Sequence, residues 1–149
     1  MLTNDLGYIH PTNFKLYFCG RANDVIRTGG ESVLSTEVER IISSHDNIVE
    51  CAVFALPDEK YGEAVCAAIV IVEPSKSSDN NSLDAGNVEE DEQWKQRIRK
   101  YCAEKQLAGY KRPRRVFRMK TLPRNSSGKV LKHAIIRLCA STSKESSRL

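Results

Sequence analysis

The feature that most constrains this sequence is an apolar run, EAVCAAIVIVE, which spans residues 63–73. Only its two terminal residues are charged. Successive side chains of a strand point to opposite faces of a sheet, so apolar residues at odd and even positions alike indicate a strand that is covered on both faces. The chain therefore needs apolar surfaces on both sides of this segment.

Two further segments predict strands beside this one. Residues 50–58, ECAVFALPD, are rich in β-formers and are separated from the apolar run by EKYG. Residues 114–123, RRVFRMKTLP, give a third strand candidate. Residues 15–31, KLYFCGRANDVIRTGGE, predict a hairpin or bent ribbon, with Gly29 and Gly30 where the backbone turns.

Three segments show the spacing of amphipathic helices. STEVERIISSH places Val38, Ile41 and Ile42 on one face, with Ser35 as the expected N-cap. DEQWKQRIRKYCAEKQL begins with Asp91 as a possible cap, and residues 130–139 form the last predicted helix. The sequence therefore predicts an α+β fold in which an N-terminal β-hairpin precedes a small sheet of about three strands packed with helices.

The bulk composition excludes several classes of protein. A chain of 149 residues with a net charge of +4 suits one domain and an anionic small ligand. No apolar run reaches the roughly 18 residues of a membrane span, so no membrane span is expected. The five cysteines show no C-x-x-C spacing, which argues against a zinc site or a disulfide framework. Residues 74–90 are almost entirely polar and predict an exposed, disordered insertion.

One lysine near the C-terminus, Lys129 in TLPRNSSGKVLK, follows a small polar segment and precedes a predicted helix. Three roles are open: a phosphate-binding loop, a nucleic-acid contact, or a catalytic cation used against another domain. The G-x-x-x-x-G-K-[ST] phosphate loop is excluded, because Pro123 stands five positions before Gly128 and Val130 follows the lysine. The basic run YKRPRR has no nucleic-acid-binding motif beside it, so we interpret it as a solvated face and expect no nucleic-acid partner.

Five motifs occur along the chain in one order: TNDLGY, GRANDVIRTGGE, ALPDEKYGEAV, LAGYKRPRR and LPRNSSGKVLK. Together they resemble the C-terminal domain of the acyl-adenylate-forming superfamily, which includes acyl-CoA synthetases, luciferases and the adenylation domains of peptide synthetases. TGGES, EVER and DEKYGE resemble the acyl-CoA synthetase branch most. The resemblance covers nearly the whole chain apart from the insertion and the tail.

The resemblance implies roles for particular residues on the adenylation side. Asp5 matches the aspartate that binds the ribose hydroxyls of ATP, and Arg21 matches an arginine that contacts the nucleotide. Asn23 stands at the hinge about which the small domain rotates, where the family usually has Asp or Lys. Lys129 matches the lysine that contacts the acyl carboxylate and the α-phosphate, and the NSSG segment before it is expected to be flexible.

The resemblance also implies a thioester-forming face and a domain layout. Gly29 and Gly30 match backbone along the pantetheine tunnel, and Arg27 lies on the same ribbon. Residues 1–22 would be the end of the preceding domain and the ribbon leading to the hinge at residue 23. Residues 24–140 would be the small domain, and residues 141–149 would be a flexible tail.

The function implied is that of the mobile C-terminal lid of an acid–CoA ligase, working with a large N-terminal domain of the same enzyme. Its substrates would be ATP, CoA and a carboxylic acid, with Mg²⁺ bound with ATP mainly by the N-terminal domain. The acid stays open among o-succinylbenzoate, a fatty acid and a hydroxycinnamate. The chain is expected to be an excised segment or a truncated product that is inactive alone. The alternative is a non-catalytic module that binds CoA, a nucleotide or a partner protein.

The last three residues, Ser147, Arg148 and Leu149, belong to the class of small–basic–leucine peroxisomal signals. The polar residues before them would leave the tripeptide accessible to the import receptor. We therefore expect a peroxisomal location, and a cytoplasmic one if this signal is not used.

Overall fold

The computed structural model describes residues 5–21, 24–72 and 88–146, and within these ranges the chain forms eight β-strands and three α-helices. The strands are β1 (Asp5–Ile9), β2 (Leu16–Arg21), β3 (Val25–Thr28), β4 (Glu31–Leu34), β5 (Ile48–Asp58), β6 (Gly62–Ile71), β7 (Glu89–Glu90) and β8 (Arg115–Arg118). The helices are α1 (Ser35–Ser43), α2 (Glu92–Glu104) and α3 (Lys132–Ser146). The predicted α+β class is confirmed. The ribbon predicted over residues 15–31 is divided between two hairpins: β2 pairs with β1 at the N-terminus, and β3 pairs with β4 across the turn at Gly29 and Gly30.

The apolar run forms β6, the strand to which most of the main sheet attaches. β5 pairs with it antiparallel from Asp58↔Gly62 to Ile48↔Ile71, and β8 pairs parallel to it along the other edge. β3 joins at Thr28↔Gly62, and β4 and β7 extend the sheet outward. Among the described residues this sheet has six strands, so the prediction of about three was too low.

Alternate residues of β6 enter two different hydrophobic cores, as a strand covered on both faces requires. Val65, Ala67 and Ile69 face a core that includes residues of α1 and α2. Ala64, Cys66 and Ala68 face a second core, which Ile135 and Cys139 of α3 cover. The prediction of cover on both faces is therefore confirmed.

The two predicted helix caps have different outcomes. Asp91 caps α2 as predicted, because its Oδ1 accepts a hydrogen bond from the Trp94 amide at 3.0 Å. The N-cap position of α1 is Leu34, without a side-chain cap, so the prediction for Ser35 was wrong. Ser35 is buried, and its hydroxyl accepts a hydrogen bond from Lys132 Nζ instead.

Two predicted boundaries also differ from the structure. Val88 is buried and β7 pairs with β8, so the predicted disordered insertion does not extend to residue 90. Residues 74–87 of that insertion lie outside the described residues. α3 runs to Ser146, so most of the predicted flexible tail is helical, whereas residues 147–149 lie outside the description.

The side chains of the basic run YKRPRR, residues 110–115, make ion pairs and hydrogen bonds to other parts of the fold. This corrects the interpretation of the run as a solvated face. Lys111 pairs with Glu37 of α1 at 3.1 Å, and Arg115 pairs with Glu90 of β7 at 2.6 Å. The Arg112 Nε donates to the carbonyl of Leu107 at 2.9 Å. These contacts tie the segment to α1, to Leu107 after α2 and to the edge strand β7, so these three cations do not form a free basic surface.

The four cysteines with described side chains form no disulfide bond: Cys51, Cys66, Cys102 and Cys139. Burial raises their pKa values, to about 11 for Cys102 and to about 12 for Cys66 and Cys139. None of the described helices is long and apolar enough to cross a membrane.

The two cores predict that this chain folds cooperatively. Ile98 of α2 is 1 % exposed, so Ile98→Ala should lower the free energy of unfolding by about 2–5 kcal/mol. Lys100→Ala, on the exposed face of the same helix, should change it by no more than about 0.5 kcal/mol. Urea denaturation followed by far-UV circular dichroism measures both. Equal effects, or the lack of a cooperative transition, would contradict this account of the core.

Candidate functional site

The segment that carries Lys129 is a closed hairpin, which differs from the flexible approach expected from NSSG. The Asn125 amide donates to the Lys129 carbonyl at 2.9 Å, and the Leu131 amide donates to the Pro123 carbonyl at 2.9 Å. A β-bridge joins Arg124 and Val130 between these two bonds. Gly128, at φ 83°, supplies the left-handed turn residue that closes the hairpin.

The Asn125 side chain fills the inside of this hairpin. Its Oδ1 accepts hydrogen bonds from the Ser127 amide at 3.1 Å, the Ser127 hydroxyl at 2.8 Å and the Lys129 amide at 2.9 Å. Asn and Ser favour such local bonds in turns because their short polar side chains reach nearby backbone groups. The sequence NSSG therefore builds an ordered turn through its polar atoms.

Arg124 joins the hairpin to the main sheet. Its Nη1 donates to the Gly128 carbonyl at 2.7 Å, and its Nη2 pairs with the carboxylate of Glu50 on β5. Lys129 itself is exposed, and its ammonium makes no ion pair with any residue that the structure describes. A fixed backbone thus presents an unneutralised cation.

A second ionic cluster lies where α3 begins, three residues after Lys129. Lys132 Nζ lies 2.8 Å from Glu39 Oε1, 3.1 Å from the Ser35 hydroxyl and 3.6 Å from Asp24 Oδ1. Glu39 Oε1 also accepts a hydrogen bond from the Val53 amide at 2.8 Å. Asp24, Ser35 and Lys132 line part of a pocket of about 250 Å³. Lys132 thus ties α3 to α1 and to Asp24, the residue directly after the predicted hinge.

The Gly29–Gly30 pair forms the turn between β3 and β4. Both residues have positive φ, 57° and 84°, which favours glycine. Gly29 lies against Tyr61: its amide donates to the Tyr61 carbonyl at 2.9 Å, and a Cβ on it would lie 3.3 Å from Tyr61 Cδ1. A Cβ on Gly30 would meet nothing within 4 Å, so its backbone is open to solvent. Arg27 is exposed on β3, and its amide donates to Glu63 at 2.8 Å.

Cations gather around Tyr61, next to this glycine turn. The Arg114 guanidinium lies 3.7 Å from the centre of the ring, and the Lys60 ammonium lies 5.2 Å from it. A hydrogen bond with Lys60, and then the charge of Arg114, lower the pKa of Tyr61. The Arg114 Nε is buried without a hydrogen-bond partner among the described residues. Sequence reasoning did not identify this stack, because Tyr61 and Arg114 lie in different motifs.

The hairpin of residues 123–131, here the lysine hairpin, and the turn at Gly29 and Gly30, here the glycine turn, attach to opposite ends of β5. Arg124 pairs with Glu50 near the start of this strand, whereas Gly29 contacts Tyr61 in the turn that follows its end. The nine residues from Glu50 to Asp58 span roughly 26 Å in a strand. The fold therefore separates the two parts of the site that the sequence singled out.

The remaining predicted site residues lie at the N-terminal side. Asp5 of β1 and Arg21 of β2 are paired in register, so the hairpin brings the two predicted nucleotide ligands opposite one another. Asn23, Ser147, Arg148 and Leu149 lie outside the described residues. The supporting residues that sequence reasoning missed are Glu39, Glu50, Asn125 and Lys132.

Comparison with known proteins finds a matching family model and relatives that include several CoA ligases. The model for the AMP-binding enzyme C-terminal domain matches residues 37–129. The 4-chlorobenzoate–CoA ligase of an Arthrobacter species is 38% identical over 133 residues, which are 89% of this chain and 22% of the ligase. The peroxisomal benzoate–CoA ligase of Arabidopsis thaliana is 32% identical over 130 residues, 87% of this chain and 21% of that enzyme.

A solved structure of a CoA synthetase is also similar to this chain. The o-succinylbenzoate CoA synthetase of Bacillus subtilis, in complex with its acyl-adenylate intermediate, aligns with a TM-score of 0.69 at 32% identity. The alignment covers 89% of this chain and 23% of that one. The chain thus spans about a fifth of the length of the relatives that it matches.

The Lys132 cluster predicts a stability difference between two nearby lysines. Lys132→Met removes the cation shared by Glu39 and Asp24 and should lower the free energy of unfolding by about 1–3 kcal/mol. Lys129→Met, three residues earlier on an exposed side chain without an ion pair to any described residue, should change it by less than about 0.5 kcal/mol. Urea denaturation of the two variants measures the difference, and equal losses would show that the cluster does not support the fold.

Proposed function

The chain belongs to the family of AMP-binding enzyme C-terminal domains, and we propose that it serves as the C-terminal lid of an ATP-dependent acid–CoA ligase. Such an enzyme first joins a carboxylate to the α-phosphate of ATP and releases pyrophosphate. CoA sulfur then attacks the acyl carbon, forms the thioester and releases AMP. The chain would supply groups to both half-reactions and would be inactive without the rest of the enzyme.

The observation that carries this proposal is the exposed ammonium of Lys129, which stands on an anchored hairpin and has no ion pair with any described residue. Attack of a carboxylate on the α-phosphate brings two anions together and builds charge on the phosphoryl oxygens. A cation held in place stabilises that charge best in a closed site from which water is excluded. Lys129 would meet the acyl carboxylate and the α-phosphate when the lid closes on the N-terminal domain.

The β1–β2 hairpin supports a nucleotide contact. The backbone register pairs Asp5 with Arg21, so the two residues that the family resemblance assigns to the nucleotide lie at one position of the hairpin. Asn23, two residues later, would be the hinge. Asn adopts unusual backbone angles more readily than most residues, so it can serve there without the charge that the family usually has.

The glycine turn supports the thioester half-reaction. Gly30 leaves its backbone open, so the pantetheine arm of CoA could pass close to it. The exposed Arg27 and the Arg114–Tyr61 stack place guanidinium groups and an aromatic face nearby, which suits the phosphates and adenine of CoA. These groups would contact CoA after the lid has rotated.

The proposal leaves Mg²⁺ and the acid to the N-terminal domain. The described residues bring together no cluster of three or more His, Cys, Asp or Glu side chains suited to a metal ion, so no Mg²⁺ ligand is assigned to this chain. The relatives include ligases for 4-chlorobenzoate, benzoate and o-succinylbenzoate. The lid chemistry described above is the same for each acid.

The two half-reactions should separate in the complete ligase that carries this segment. Lys129→Ala should raise the barrier to acyl-adenylate formation by about 2–4 kcal/mol, which is roughly 10²–10³ in rate. It should largely spare thioester formation from a preformed acyl-adenylate. Gly30→Leu should do the reverse, because its side chain would obstruct the pantetheine arm.

Pyrophosphate exchange measures the first step, and single-turnover release of the acyl-CoA measures the second. If Lys129→Ala slows both steps equally, the lysine holds the domains together and has no catalytic role. Pyrophosphate exchange by this chain alone would contradict the lid function, and retained CoA binding without any ligase activity of the complete protein would favour a non-catalytic module.

We also propose a peroxisomal location, with the import receptor as partner, on the basis of Ser147, Arg148 and Leu149. A fluorescent protein that carries the last twelve or so residues should enter peroxisomes, and deletion of Leu149 should leave it in the cytosol. Fluorescence microscopy against a peroxisomal marker tests this. A diffuse signal from the intact tail would overturn the assignment.

A further inference from the structure

The bonds inside the lysine hairpin converge on one residue. Asn125 is bonded to Lys129 on both sides of the lysine α-carbon: Asn125 Oδ1 accepts from the Lys129 amide, and the Asn125 amide donates to the Lys129 carbonyl, both at 2.9 Å. Two bonds to one residue fix the direction in which the lysine side chain leaves the backbone. Asn125 is also the residue that holds Ser127, in the middle of the turn.

Arg124 extends this control to the rest of the domain. A single guanidinium holds the carbonyl of Gly128, directly before Lys129, and the carboxylate of Glu50 on β5. The planar fork of arginine allows two partners to be held at fixed angles, which an ammonium does less well. The hairpin is therefore attached to a strand of the main sheet and not only to the helix that follows it.

We propose that Asn125 and Arg124 are positioning residues for Lys129, so that rotation of the whole domain, and not bending of the loop, brings the ammonium to the reacting groups. The proposal rests on the adenylation role proposed above. A backbone that is already ordered leaves only the lysine side-chain torsions to be fixed at the moment of reaction. Such preorganisation raises the rate because a displacement of about 1 Å can cost roughly 10²-fold.

If Asn125 only stabilised the fold, its loss would unfold the domain and would not act on the hairpin alone. The hairpin is exposed, whereas α3 is held by Ile135 and Cys139 in the core and by Lys132 in its ionic cluster. Loss of the Asn125 side chain should therefore loosen the hairpin while the domain stays folded. The two roles can be separated by measuring the loop and the chemistry independently.

The first measurement is amide hydrogen exchange in this chain. Asn125→Ala should raise the exchange rates of the Ser127 and Lys129 amides by about fivefold or more, because both lose their acceptor. Asn125→Asp keeps an acceptor oxygen and should retain most of the protection. Ser126→Ala is the matched control, because Ser126 is exposed in the same turn and its hydroxyl has no hydrogen bond within the described part of the chain. Equal exchange in Asn125→Ala and Ser126→Ala would overturn the proposal.

The second measurement is the rate of each half-reaction in the complete ligase. Asn125→Ala should slow acyl-adenylate formation roughly 10- to 100-fold, mainly through kcat, and leave thioester formation from a preformed acyl-adenylate unchanged. Arg124→Lys should act in the same direction with a smaller effect, because an ammonium does not hold both partners. Ser126→Ala should match the unmodified enzyme in both steps.

The two measurements distinguish failure of this proposal from failure of the proposed function. If Lys129→Ala slows adenylation but Asn125→Ala does not, the lid function stands and the positioning role is wrong. If Lys129→Ala has no effect on either step, the proposed function fails and the positioning role fails with it, even where exchange shows that Asn125 holds the hairpin. Selective loss of adenylation in both variants supports the proposal.

Discussion

The burial of β6 on both faces is the constraint on which the rest of this structure depends. The strand is paired along both edges and contributes alternate residues to two separate cores. A shift of one residue would exchange the two sets of side chains, so the register is strongly determined. The register of β6 determines that of β5, and β5 in turn sets the separation between the lysine hairpin at Glu50 and the glycine turn at Tyr61.

The sequence predicted the parts of the fold that have their own periodicity. The apolar run of β6, the spacing of α1 and α2 and the Asp91 cap are local patterns, and each has the predicted structure. β7 has only two residues, which are too few to show the two-residue alternation of a strand. It is a strand because it pairs with β8. Serine is a residue type that commonly caps helices, but the Ser35 hydroxyl instead accepts a hydrogen bond from Lys132, near the other end of the chain.

The residues of the candidate site also fall into two groups, those that belong to a local sequence motif and those that support them from distant segments. Lys129 and the glycine pair are visible in the sequence because a motif contains them. Their supports are contacts between distant segments: Arg124 and Glu50 are 74 residues apart, and Lys132 and Ser35 are 97 apart. No local pattern predicts such pairs. Asn125 is different, since an asparagine followed by small polar residues is typical of a turn held by side-chain bonds, and this signal was available.

The cationic side chains fall into two groups. Some form ion pairs within the domain and stabilise the fold, whereas others are exposed and can meet a ligand. Lys111 and Lys132 each have a carboxylate within the domain, and substitution of either would leave that carboxylate partly buried without its cation. Lys129 and Arg27 are exposed, and neither has an ion pair with a residue of the described ranges. A carboxylate beside Lys129 would neutralise the charge that adenylation is proposed to need, because the field of a paired ammonium falls off quickly with distance. Holding this lysine through its backbone amide and carbonyl fixes its position and keeps its full charge available to a substrate anion.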